Sequence, residues 1–199
     1  MIKDGIGGGN TITGLIYEAK VDLATFLNTQ SQYTVINTKV YFKNKLIARL
    51  FKKHALYTFL KEVGIDWKKH ISKQLLPDNC IYVITNNTAF IKEVKHQEVA
   101  GTVFIIECKF QQVGGSVDEK LQTCDFKKKE YIKLFSELNY RVEFYYILDK
   151  WFLQDKYKDT LDYIISVGCK YFFNYIPLQE LGLPVPEQTG NSINSYDIE

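Results

Sequence analysis

The chain has 199 residues, 46% hydrophobic and 24% charged, with a formal net charge of +2. That content supports one sizeable core. A near-neutral balance excludes a chain drawn to polyanions by its overall field, although Lys52–Lys53 and Lys127–Lys129 give local basic surfaces. Cys80, Cys108, Cys124 and Cys169 form no CxxC pair, and three histidines offer no zinc spacing. Cys80, Cys108 and Cys169 lie in or beside apolar runs and read as buried thiols of a reducing compartment. The opening "MIKDGIGGGN" lacks the apolar stretch that translocation needs, and no run approaches spanning length. The expectation is a soluble cytoplasmic protein with no membrane partner.

The first predicted element follows a glycine-rich arm, "GIGGGNTITG". The arm resembles a phosphate loop but lacks the Gly-Lys-Ser/Thr ending and a preceding strand. Thr11 or Thr13 is suited to cap a helix running to about Leu27, with a core stripe of Ile12, Leu15, Ile16, Ala19, Leu23, Phe26 and Leu27. Glu18 lies beside that stripe. Residues 33–51 read as strands, "YTVIN", "VYF" and "LIARLF", with "KNK" as a hairpin turn. "HALYTFLKEVG" reads as a helix stopped by Gly64, and "IDWKKHISKQLL" adds a helical turn or two before Pro77 closes it.

From there the pattern is β. "CIYVI" is a strand, "TNNT" a turn and "AFIKEVKHQEV" a further strand. "AGTVFIIECKFQ" is a central strand, apolar on both faces and therefore covered on both. "QVGGSVDEK" turns the chain; Ser116 and Glu119 have capping-box spacing for a helix to about Leu138. "RVEFYYILD" is a strand, "KYKDTLDYIISVG" a helix ending at Gly168, and "CKYFFNYI" a last strand. The order predicts an α/β domain with a mixed sheet over residues 1–183, and a loose polar tail over residues 184–199.

The chemistry concentrates at the end of the central strand. Residues two apart on a strand share a face, so Glu107 and Lys109 do, with the Cys108 carbonyl between them. Asp78 opens a strand suited to run antiparallel beside this one. Two carboxylates and a carbonyl are hard oxygen ligands that suit Mg²⁺. A lysine alongside offsets their repulsion and is placed to hold a water. For an isolated ExK triplet, an ion pair at a solvent-facing strand end is the better reading; here the unusually apolar strand, the upstream Pro77-Asp78 and the long helix following a glycine turn favour the metal site. The separation of Asp78 from Glu107 is long, and Glu93 and Glu98 stand as alternatives for the first acid.

"PD" at 77–78 followed by "IIECKFQ" at 105–111 resembles the PD-(D/E)XK nuclease superfamily, whose core is helix, three strands, helix, strand. "GGGNTITGLIYE", "GGSVDEKLQT" and "KYFFNYIPLQELGL" look like type II restriction endonucleases within it. The resemblance implies metal binding by Asp78, Glu107 and the Cys108 carbonyl, a catalytic Lys109, and an assisting acid at Glu18. It also implies Mg²⁺, double-stranded DNA as partner and a homodimer. A structure-specific repair or junction nuclease of the same fold, or a non-catalytic DNA-binding protein, is the alternative.

For a DNA substrate, Gln111 is suited to phosphate or water. Ser116 and Lys120, at a glycine turn opening a helix, are suited to phosphate, with Gln122 and Lys127 as further candidates. Asn86 and Asn87 are suited to adenine edges, although turn chemistry accounts for them equally.

Overall fold

The computed structural model describes residues 22–84, 101–111 and 117–187. Among these residues seven strands form one mixed sheet in sequence order. They are β1 (Tyr33–Ile36), β2 (Lys39–Phe42), β3 (Lys45–Phe51), β4 (Asn79–Ile84), β5 (Gly101–Lys109), β6 (Tyr140–Leu148) and β7 (Lys170–Phe173). The first five pair antiparallel; β5, β6 and β7 pair parallel. The change of sense follows from the connections. Lys43 and Asn44 both adopt positive φ (48° and 63°), the two-residue hairpin turn that matches strand twist. The parallel pairs are joined through helices, as such crossovers require.

Among the described residues five α-helices cover the sheet: α1 (Leu23–Thr29), α2 (Ala55–Glu62), α3 (Val117–Leu121), α4 (Cys124–Leu134) and α5 (Lys158–Ser166). Alternation along β5 divides the interior in two. Val103 and Ile105 face a core shared with α2, α4 and α5, built around Leu60, Tyr131 and Ile164. Phe104 and Ile106 face the opposite core, closed by Leu23 and Leu27 of α1 and by Leu178 and Leu181. Both faces of β5 are therefore buried, as its continuous apolar run predicts.

Several expected boundaries shift. The helix expected from Thr11 or Thr13 to Leu27 does not run unbroken: α1 starts at Leu23, where Asp22 is extended and its carboxylate caps the Thr25 N–H. The single helix expected from Ser116 to Leu138 is broken. Thr123 turns its hydroxyl onto the Lys120 carbonyl at 2.7 Å, an alternative to regular helix geometry, and α4 restarts at Cys124. Residues 67–69 form one 3₁₀ turn. The segment after Leu183 is anchored at its start. Tyr33 donates to the Pro184 carbonyl, Lys43 pairs with Glu187 at 2.8 Å, and Val185 packs on the core. The thiols of Cys80, Cys124 and Cys169 are buried; Cys108 is half-buried. The "TNNT" turn and the strand expected over "AFIKEVKHQEV" lie outside the described residues. No helix among those described is long and apolar enough to cross a membrane.

The sheet also has a position that only glycine fits. Tyr82 of β4 and Tyr140 of β6 stack across β5 with centroids 4.5 Å apart, over the side-chain-free Gly101. A Cβ on Gly101 would meet the Tyr82 ring and the Val83 carbonyl, the latter at 2.6 Å. Gly101→Ala is expected to destabilise the fold by roughly 1–3 kcal/mol, the usual effect of overpacking. Chemical denaturation at neutral pH checks this.

Candidate active site

The β4–β5 register places Asn79 opposite Ile106, so Asp78 meets Glu107 one step beyond the last paired residues. At that edge Asp78 Oδ2 accepts the Cys108 N–H at 3.0 Å. The carboxylate takes up a backbone donor where the ladder ends, and this fixes its position against β5. Glu107 and Lys109 emerge on the same face of β5, as strand alternation requires. Lys109 Nζ lies 2.8 Å from Glu107 Oε2, 3.4 Å from the Cys108 carbonyl and 4.0 Å from Asp78 Oδ2. Three oxygens from two adjacent strands thus surround one ammonium.

A second cation comes from α4. Lys127 Nζ lies 2.9 Å from the same Glu107 Oε2. Cys124, Tyr131 and Leu134 form the buried stripe of α4, and Lys127 sits on that stripe at i+3 from Cys124 and i−4 from Tyr131. The signal was in the sequence: a lysine occupies a position where helical periodicity calls for an apolar residue. In the sequence it stands as a further candidate for DNA contact; in the structure its ammonium rests on Glu107.

Glu107 is 7% exposed. Burial pushes its carboxyl upward, but the charges and hydrogen bonds of Lys109 and Lys127 outweigh that and hold it below the ordinary glutamate range. Tyr131 lies one turn past Lys127, fully buried, and its hydroxyl finds no hydrogen-bond partner among the described residues. Burial drives that phenol strongly upward; the neighbouring Cys80, Tyr57, Glu107 and Asp78 add to the effect. The hydroxyl therefore stays protonated at the edge of the acidic site.

The donor set fits a small hard cation. The Asp78 and Glu107 carboxylates and the Cys108 carbonyl are all oxygen, and they already gather around a positive group. Among the described residues no group of three or more His, Cys, Asp or Glu side chains forms a metal cage. Two carboxylates and a carbonyl nevertheless suit Mg²⁺, which keeps several of its waters.

The remaining expected residues sit as follows. Gln111 lies beyond the strand end, 7% exposed, and its N–H donates to Asp149 Oδ2 at 3.1 Å. Asp149 also donates its own N–H to the Lys109 carbonyl at 3.3 Å, so it fastens the chain leaving the site. Lys120 is exposed on α3, and its carbonyl lies 3.3 Å from the Tyr146 hydroxyl. Tyr146 is paired in register with Glu107, so the α3 end is tied to the strand beside the site. Glu18, Asn86, Asn87, Ser116 and the alternatives Glu93 and Glu98 lie outside the described residues.

Two consequences can be measured. Lys127→Met removes one of the two cations on a buried carboxylate and is expected to cost about 1–3 kcal/mol in urea unfolding. Glu107 has a lowered folded pKa, so its stabilising contribution is complete above the unfolded value of about 4.3. It is lost as pH falls from there through the folded value. Glu107→Gln is expected to remove this acid-sensitive part, flattening the fall in urea midpoint on acidification relative to the parent chain.

No curated protein and no solved structure matches the chain. A family model described as the PD-(D/E)XK nuclease superfamily domain matches residues 23–132. The match runs from the first residue of α1 into α4 and includes Asp78, Glu107, Lys109 and Lys127. With that match over more than half of its length, and with a mixed sheet carrying Asp78 beside the Glu107-Cys108-Lys109 triplet, the chain belongs to the PD-(D/E)XK nuclease superfamily.

Proposed function

We propose that the protein is a Mg²⁺-dependent, sequence-specific double-strand DNA endonuclease of the type II restriction kind, acting in the cytoplasm. The observation that carries this is the meeting of Asp78, the Cys108 carbonyl, Glu107 and Lys109 at one sheet edge. Mg²⁺ would be held by Asp78, Glu107 and the Cys108 carbonyl. When bound, it would lower the pKa of a coordinated water and stabilise negative charge on the phosphate.

In this reading the other steps fall to the chain's own groups. Lys109 orients the attacking water and offsets the negative charge that builds on the phosphate. Lys127 keeps Glu107 anionic when Lys109 turns to the water. Glu18 adds polarity to the same site. The attack is direct, and the products carry a 5′-phosphate. Ser116, Lys120 and Gln111 contribute to holding the DNA backbone beside the site, and Asn86 and Asn87 to base reading. A palindromic target calls for a homodimer.

The test is digestion of a plasmid of known sequence with Mg²⁺, followed by mapping of the fragment ends. Discrete fragments with a common end sequence are expected, and none with chelator. Glu107→Ala and Lys109→Ala are expected to reduce cleavage by about 10²–10⁴-fold, the range for losing a group that handles the reacting proton or its charge. Lys109→Ala should still bind DNA. Random nicking, or near-parental turnover in Lys109→Ala, would contradict the reading.

A further inference from the structure

A groove of about 690 Å³ opens between α2 and the segment that follows it. His54, Tyr57, Thr58 and Lys61 line one side, at the i, i+3, i+4, i+7 spacing of a single helix face. Gly64, Ile65, Asp66, Trp67 and Gln74 line the other. Tyr57 is buried and meets the half-buried Trp67 edge-on, centroids 5.7 Å apart. An aromatic wall of this kind beside cationic groups suits a ligand with both a planar or sugar part and a negative charge.

The segment around the groove is mostly basic, although Asp66 lies on the groove wall. Residues 52–73 hold Lys52, Lys53, Lys61, Lys68, Lys69 and Lys73 against only Glu62 and Asp66. Glu62 pairs with Arg49, while Asp66 accepts the backbone N–H of Lys68 and forms no ion pair among the described residues. Lys52 pairs with Asp22, and Lys68 lies over the Trp67 ring. Lys53, Lys61, Lys69 and Lys73 are exposed and form no ion pair among the described residues.

The groove is also tethered to the catalytic edge. Lys53 donates its N–H to the Pro77 carbonyl at 3.0 Å, directly before Asp78. The Tyr57 hydroxyl bonds both the N–H and the carbonyl of Leu75, at 2.7 and 2.9 Å. The helix that lines the groove is therefore fixed to the strand lead-in that carries Asp78. A chain of phosphates passing the site has a basic path onward along α2.

We infer that this groove is a DNA subsite: it receives a nucleotide flanking the scissile phosphate, with phosphate on Lys61 in its wall and on Lys53, the chain neighbour of the wall residue His54, and the sugar and base edge against Trp67. The inference rests on the nuclease reading and adds a binding surface to it. It is separate from the metal-site residues, so variants here alter DNA affinity without removing Asp78, Glu107 or Lys109.

The experiment uses the full chain with Trp151→Phe, which leaves Trp67 as the sole tryptophan. Binding of a fluorescein-labelled duplex is followed by anisotropy across a salt series, together with Trp67 emission. The Lys53→Gln/Lys61→Gln pair in the same background is measured alongside, its fold checked by circular dichroism. Expected are a change in Trp67 emission on saturation, about tenfold or greater weakening in the double variant, and a drop of about 2 in the slope of log K against log salt. Equal affinity and slope in parent and variant, with unchanged Trp67 emission, overturn the subsite while leaving plasmid cleavage intact. A parent chain that neither binds nor cleaves DNA overturns the subsite and the nuclease reading together.

Discussion

The site depends on one buried carboxylate shared by two ammonium groups. Glu107 lies at the end of an apolar strand, where an unpaired charge would be strongly disfavoured. Lys109 on the same strand and Lys127 on α4 keep it ionised. The pairing joins secondary structure to chemistry. It fastens the helical layer to the central strand, and it keeps an anion at the sheet edge beside Asp78. Because the two lysines contact one oxygen, either can leave without stranding the charge.

The sheet topology explains why this constellation forms at all. An antiparallel β4–β5 pair brings the start of one strand against the end of the other, so residues distant in sequence meet at one edge. A parallel β5–β6 pair then needs a helical crossover, and that crossover supplies α4 above the same edge. Antiparallel and parallel pairing on the two sides of β5 thus place Asp78 and Lys127 around Glu107. The basic segment from Lys52 leads into α2 at the same edge through the Lys53–Pro77 hydrogen bond.

Much of this was legible in the residues. The even apolar run of β5, the Lys43–Asn44 turn and the glycine stop after α2 each follow from a local rule and hold in the structure. Asp78 beside Glu107 was also readable, because an acid opening one strand and an acid ending its neighbour meet when the two run antiparallel. Lys127 was less so. It sits in a run of three lysines, and only its place in the apolar period of α4 sets the one that turns inward onto Glu107 apart from its exposed neighbour Lys129. The helix break at Thr123 depends on a hydroxyl choosing a local carbonyl, which periodicity does not encode. The groove beside Trp67 depends on how a connecting segment folds back on α2, a tertiary outcome with no repeat to announce it.

The most direct measurement of the central claim is anomalous scattering from crystals soaked in Mn²⁺, a close substitute for Mg²⁺ at oxygen sites. The account predicts a peak bounded by the Asp78 and Glu107 carboxylates and the Cys108 carbonyl, with the peak lost in Glu107→Gln. A fully soaked crystal with no peak at that position, or with the ion bound elsewhere and Lys109 still resting on Glu107, would contradict it.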